Sequence, residues 1–269
     1  QMCIRDRNWR GDNIRNMDIK ILIAMHKPYW HPDDPVYMPI HVGKKGKASI
    51  GLPGDDTGDN ISDRNPAYCE LTGVYWAWKN LKADYVGLVH YRRYFTHKGF
   101  FLRSILEKRK DILTGKDWQK ILSSHPIVVA DKRKYRIETN EAHYLHAHPR
   151  EQLDVALNVI RKKYPKYEKG WNILMNRTWA HMFNMFVMRK DYFDEWCAWW
   201  FSVMFEVEKQ VDLSEYPKPE QRWFIDELLL DVWLETKGYP YYECNVDYFE
   251  KQNWLKKGWS FIGRKLGSK

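Results

Sequence analysis

The strongest constraint on this chain is a change of hydrophobic period that recurs along its length. Residues Ile19–Met25 (IKILIAM), 83–90 (ADYVGLVH) and 126–130 (PIVVA) are short, apolar and rich in β-branched residues, the signature of buried strands. Between and after them the period becomes helical. Residues 65–81 predict a single helix, with Asn65 as N-cap, Pro66 at its first position, and Tyr68, Leu71, Tyr75 and Trp78 along one face. Residues 103–124 are a polar helical stretch, 151–163 an amphipathic helix, 191–211 an aromatic-rich helix and 221–235 another. Residues 179–189 turn strand-like in their second half, 239–247 read as a last strand or extended arm, and 30–66 read as loop. Alternating strands and helices followed by a helical C-terminal third predict an α/β sheet with helices on both faces.

A formal charge of +9 suggests an anionic partner, but its placement decides the matter. Residues 1–16 hold four Arg and two Asp, and residues 251–269 hold six Lys or Arg and no acid. The body between them carries 34 bases against 33 acids, which argues against nucleic acid, whose binders show a basic stripe on the folded body. Residues 1–16 lack periodicity and contain MCIRDR, which resembles a translated sequencing-adapter fragment, so the fold is expected to begin at Met17. The tail 251–269 adds Trp254, Trp259 and Phe261 to its bases, the composition of a segment that meets an anionic membrane surface, or of a solvated tail.

Cys3, Cys69, Cys197 and Cys244 are far apart and form no CxxC pair, which fits a reduced, cytosolic chain. The uncharged apolar run 196–205 is ten residues long, against the roughly 20 needed to cross a bilayer. No apolar signal-peptide core precedes the first strand. The 14 Trp are assigned mainly to core packing.

Several residues stand out chemically. His26, Lys27 and Tyr29 follow the first strand, where ligands bind in open α/β sheets, though an ordinary strand-to-loop exit is the simpler explanation of the residues alone. The strand 83–90 runs into His90, Arg92 and Arg93; two Arg at a strand end suit a diphosphate or pair with acids of the body. Residues 51–62 (GLPGDDTGDNIS) offer Asp55, Asp56, Asp59 and Asn60, as a solvated loop or a set of oxygen ligands, but match neither an EF-hand nor a Walker A loop. His143, His146 and His148 are not spaced to converge on a metal. Asn184 and Glu227 are polar residues inside apolar runs, and Glu227 is therefore either paired or raised in pKa.

The blocks HKPY, GDDTGDNIS, YCELTGVYWAWKN, YVGLVHYRRYF, HMFNMFVM and RWFIDELLL resemble those of a bacterial family first described as a domain of unknown function and treated as glycosyltransferases of capsule and exopolysaccharide synthesis. The blocks run from residue 18 to about 250, so one domain is expected over 17–250. The resemblance implies a GT-A-like (Rossmann-like) mixed sheet that takes a nucleotide sugar, UDP-linked, and passes its sugar to a lipid-linked or growing saccharide acceptor. It also implies a cytoplasmic enzyme working peripherally at the inner membrane face. The family fold ordinarily places Asp-x-Asp and Mg²⁺ or Mn²⁺ at a strand end; here that strand ends in His-Tyr-Arg-Arg. His90, Arg92 and Arg93 are then expected to stabilise the departing diphosphate. His26, Lys27, Tyr29, Asp55, Asp59, Asn60, His181 and Asn184 are expected to bind donor or acceptor, with Asp55, Asp56 and Asp59 as the ligands of any metal. Glu227 or Asp226 is the candidate general base. A non-catalytic carbohydrate-binding module is the rival reading, since it too would use many Trp.

Overall fold

The computed structural model describes residues 16–97, 104–135, 137–146, 148–217 and 222–249. In chain order the elements are β1 (Ile19–Met25), β2 (Tyr37–His41), α1 (Asn65–Tyr68), α2 (Leu71–Asn80), β3 (Tyr85–His90), β4 (Arg93–Phe95), α3 (Ile105–Lys110), α4 (Gly115–Leu122), β5 (Ile127–Ala130) and β6 (Arg133–Lys134). There follow α5 (Asn140–Leu145), α6 (Arg150–Lys163), α7 (Glu168–Asn176), β7 (Trp179–Ala180), β8 (Phe186–Arg189), α8 (Lys190–Glu208), α9 (Asp226–Lys237), β9 (Tyr242–Cys244) and β10 (Val246–Tyr248).

β1 lies between β2 and β3 and runs parallel to both. β8 pairs antiparallel with β3 and with β5, and β5 is parallel to β9. The sheet therefore reads β2-β1-β3-β8-β5-β9, with β8 alone reversed along that path, and β4 and β10 form an antiparallel extension from the end of β3. The chain passes from β1 to β2 on one side and returns to β3 on the other, which makes the carboxyl ends of β1 and β3 a topological switch point.

Period-2 alternation divides the core between the two faces. Ile19, Ile21, Ile23 and Met25 join Tyr85, Val89, Trp118 and Val187 on one face. Leu22, Ala24, Val86 and Leu88 join Phe186 and the helices α2, α6, α7, α8 and α9 on the other. Gly87 lets β8 come close: a Cβ there would lie 2.7 Å from Val187 Cγ2 and 2.8 Å from the Phe186 carbonyl. The Trp excess is largely core, with Trp118, Trp196, Trp200 and Trp233 fully buried. No helix among the described residues is long and apolar enough to cross a membrane. The proposed leader (1–16) and basic tail (251–269) fall, except for Asn16, outside the described residues.

Three expectations change. The loop 30–66 contains strand β2. The stretch 103–124 is two helices, each opened by its own capping box, Ser104 with Glu107 and Thr114 with Asp117. The helix 65–81 is two helices broken at Cys69, whose φ of +49° no α-helix accommodates. Asn65 is the first residue of α1 rather than its N-cap; its amide donates across the break, to the Cys69 carbonyl at 2.6 Å and to Thr72 Oγ1 at 3.3 Å.

Candidate active site

The site forms where the carboxyl end of β3 meets the start of α2, the start of α9 and the turn entering β8. His90 alternates with Val86 and Leu88 and so faces the helical side of the sheet. Its Nε2 donates to the Phe183 carbonyl at 2.6 Å and lies 4.0 Å from Glu70 Oε1. Burial lowers its pKa; Glu70 opposes that shift, and Arg93 reinforces it. Glu70 stands at the N-cap position of α2, immediately after the break at Cys69.

Asn184 is buried and joins two of the site's carboxylates. Its Nδ2 donates to Glu70 Oε1 and to Asp226 Oδ2, each at 3.2 Å. Asp226 and Glu227 open α9. Burial, then the Glu70 and Glu227 charges, push Asp226 well above the usual carboxylate range. Burial and Glu70 push Glu227 up to about 7, while a Phe183 backbone hydrogen bond and the Arg93 and Arg133 charges pull it back. Glu227 also keeps part of its surface open, whereas Asp226 is only 6 % exposed. A partly buried carboxylate titrating near neutrality suits a general base.

Backbone strain is concentrated here. Among the described residues the non-glycine residues at positive φ are Cys69 (+49°), Phe183 (+77°) and Asn184 (+52°), and all three border this cluster. Each such conformation costs on the order of 1–3 kcal/mol and persists only where surrounding contacts over-determine it. Two buried polar atoms of the cluster, Asn184 Oδ1 and Arg93 Nε, have no hydrogen-bond partner within the protein.

The two arginines divide between neighbouring environments. Arg93 lies over the rings of Phe183 (4.4 Å) and Tyr248 (5.4 Å), beside Glu227. Arg92 lies over Tyr91 (4.9 Å), as does the Lys27 ammonium (5.4 Å), and His26 and Tyr29 meet the same ring edge-on at 5.2 and 5.1 Å. His26, Lys27, Tyr29 and Arg92 are thus gathered at the β1–β3 switch point.

The acidic loop is placed differently from expectation. Asp55 is fully buried and accepts from Gly43 N (2.8 Å), Lys44 N (3.0 Å), Thr72 Oγ1 (2.6 Å) and the Ser62 hydroxyl. It pins the end of β2 to α2 and is closed to a donor or a metal. Asp59 and Asn60 are not at the cluster either. Tyr75 donates to Asp59 Oδ1, Asn80 Nδ2 donates to the Asp59 carbonyl, and Asn60 folds back on Gly58. Asn80 ends α2 while Glu70 begins it, and ten residues at about 1.5 Å each separate the two by roughly 15 Å. Asp56 pairs loosely with Lys44 at 3.9 Å. No group of three or more His, Cys, Asp and Glu among the described residues is arranged to hold a metal ion. His181, expected to line a pocket, is 1 % exposed and bonded to Asp231.

Sequence reasoning missed Glu70, Arg133, Phe183 and Asp231. Asp231 carried a readable signal, an acid within LLLDVW like Glu227 within its own apolar run. Glu70 was hidden because it was read as part of a continuous helix.

A parallel-strand crevice, one reversed strand and a polar cluster at the strand ends define a GT-A-like α/β protein. Residues 20–238 match the family described as Domain of unknown function (DUF4422), and the chain belongs to that family. An apo structure of WbbM, a bifunctional glycosyltransferase, is similar to it, with a TM-score of 0.78 and 30% identity over 86% of this chain and 45% of that one. The chain therefore spans less than half the length of that protein. No curated protein matches it.

Proposed function

We propose that this protein is a glycosyltransferase that moves a sugar from a UDP-linked donor to a lipid-linked or growing saccharide acceptor in capsule or exopolysaccharide synthesis. The observation that carries the reading is Glu227: a partly buried carboxylate raised to about 7 beside Arg93, whose neighbour Arg92 joins the cationic group at Tyr91. The likeness to a bifunctional glycosyltransferase structure supports the same class.

In this reading the diphosphate lies at the switch point against Lys27 and Arg92, with Arg93 between it and Glu227. Glu227 takes the proton of the acceptor hydroxyl as that oxygen bonds to the anomeric carbon. The bond from that carbon to the diphosphate breaks, and the fixed cations stabilise the charge left on the nucleoside diphosphate. The cations stand where the wider fold ordinarily holds a divalent ion. In support of that reading, Asp55 already accepts four protein donors and Asp59 lies at the far end of α2. Peripheral contact with an anionic membrane at the cytoplasmic face, through residues 251–269, belongs to the same proposal.

A thermal-shift screen of nucleotide sugars, UDP and free sugars, with and without Mn²⁺, tests it. Stabilisation by UDP and by one UDP-sugar, without need of Mn²⁺, is expected. Stabilisation by free sugars alone would favour the carbohydrate-binding module and overturn the transferase.

A further inference from the structure

Helix α9 presents a third acid, Asp231, buried and one turn beyond Glu227. It is 2 % exposed and bound entirely by the segment that leads into the strained turn. The His181 backbone N–H donates to Asp231 Oδ2 at 2.7 Å, His181 Nδ1 donates to Oδ1 at 2.6 Å, and the Arg177 guanidinium pairs with Oδ1 at 2.8 Å. Trp179 and Tyr241 flank the imidazole edge-on at 5.4 and 5.0 Å. Burial would raise the Asp231 carboxyl, but the His181 bond and the His181 and Arg177 charges outweigh it and hold it low.

Two residues beyond this anchor the chain enters the left-handed turn Phe183–Asn184. That turn supplies the carbonyl that receives His90, the amide that joins Glu70 to Asp226, and a backbone hydrogen bond to Glu227. Neither residue is a glycine, so the turn must be held from outside, and Asp231 holds it from the same helix that carries Glu227.

We infer that His181 and Asp231 form a positioning pair that clamps the Phe183–Asn184 turn against α9 and thereby sets the basicity of Glu227 and the orientation of His90. That Glu227 is the base so served rests on the transferase reading; the clamp itself can be tested without substrate.

The test follows the side-chain carboxyl resonance of Glu227 in protein labelled with ¹³C-glutamate, assigned by its loss in Glu227→Gln. The groups facing Glu227 are Glu70 from α2, Asp226 from α9, Arg93 from β4, and Arg133 and Tyr135 from the β6 segment. All remain in Asp231→Asn. Loss of one negative charge would by itself move the Glu227 midpoint down. Release of the turn removes the Phe183 bond and moves it up, by roughly half a pH unit or more. An upward shift is expected in Asp231→Asn and in His181→Phe. His181→Asn, whose amide can still donate to Asp231, should titrate like the wild type. If Asp231→Asn does not fold, the two His181 variants decide. An unmoved or lowered midpoint, or no difference between His181→Phe and His181→Asn, overturns the clamp. Absence of any transferase activity would refute the function while leaving this titration standing.

Discussion

Asp226 Oδ1 accepts the backbone N–H of Glu227 at 2.6 Å, and this bond makes two consecutive carboxylates unequal. Asp226 turns inward and spends its oxygens on that N–H and on Asn184, so it organises the helix start. Glu227 is left with an open side and a near-neutral midpoint.

Glu227→Gln should therefore lower turnover by about two or more orders of magnitude while donor binding survives. In the wild type, activity should rise with pH through an apparent midpoint near 7, because the base must be unprotonated. Steady-state rates from pH 5 to 9 would check this. A variant that loses its folded circular-dichroism signal would assign Glu227 a structural role instead.

The same raised midpoint links pH to stability. Glu227 holds its proton more tightly when folded than in the unfolded chain, where it titrates near 4.5. Its contribution is fully present below that value and is lost as pH rises through about 7. Urea unfolding at pH 5 and pH 8 should show a decline of up to about 3 kcal/mol that is smaller in Glu227→Gln. Equal pH dependence in both proteins would contradict the assignment.

The two arginines should be separable. Arg92 faces the switch point with Lys27, so Arg92→Ala should weaken UDP binding by calorimetry about tenfold. Arg93 lies against Phe183 and lowers Glu227, so Arg93→Ala should also move the acid limb of the rate profile to higher pH. If EDTA abolishes wild-type binding while both variants bind normally, the cationic proposal fails.

Asp55 should behave as a structural residue. Asp55→Ala strands four donors in a closed site and should cost at least about 3 kcal/mol in denaturant unfolding. UDP affinity of the folded protein should stay within twofold. Normal stability with lost affinity would return Asp55 to the donor site.

Much of the sheet was legible because its strands are buried on both faces and therefore read as continuous apolar runs. β2 escaped because YMPIH is short and holds Pro39, which a strand tolerates at an edge; among the described residues β2 pairs along its length with β1 and touches Gly54 through a single bridge at His41. Glu227 and Asn184 were legible as polar residues in apolar company. Asp59 and Asn60 were misplaced because a loop sequence shows which atoms it offers and not which end of a helix it lies against.

The α/β class, the central strands and the cations at their carboxyl ends can be read from the residues alone, since each follows from local period and composition. Which acids stay partly open and which are filled by the backbone depends on how distant segments pack. Asp55, Asp231 and Glu227 are chemically alike in the sequence. Burial and the donors brought by distant segments make the first a pin and the second an anchor, and raise the third into the range of a base. Those donors come from residues 7 to 54 positions away for Asp55 and Asp231, and no local pattern records them.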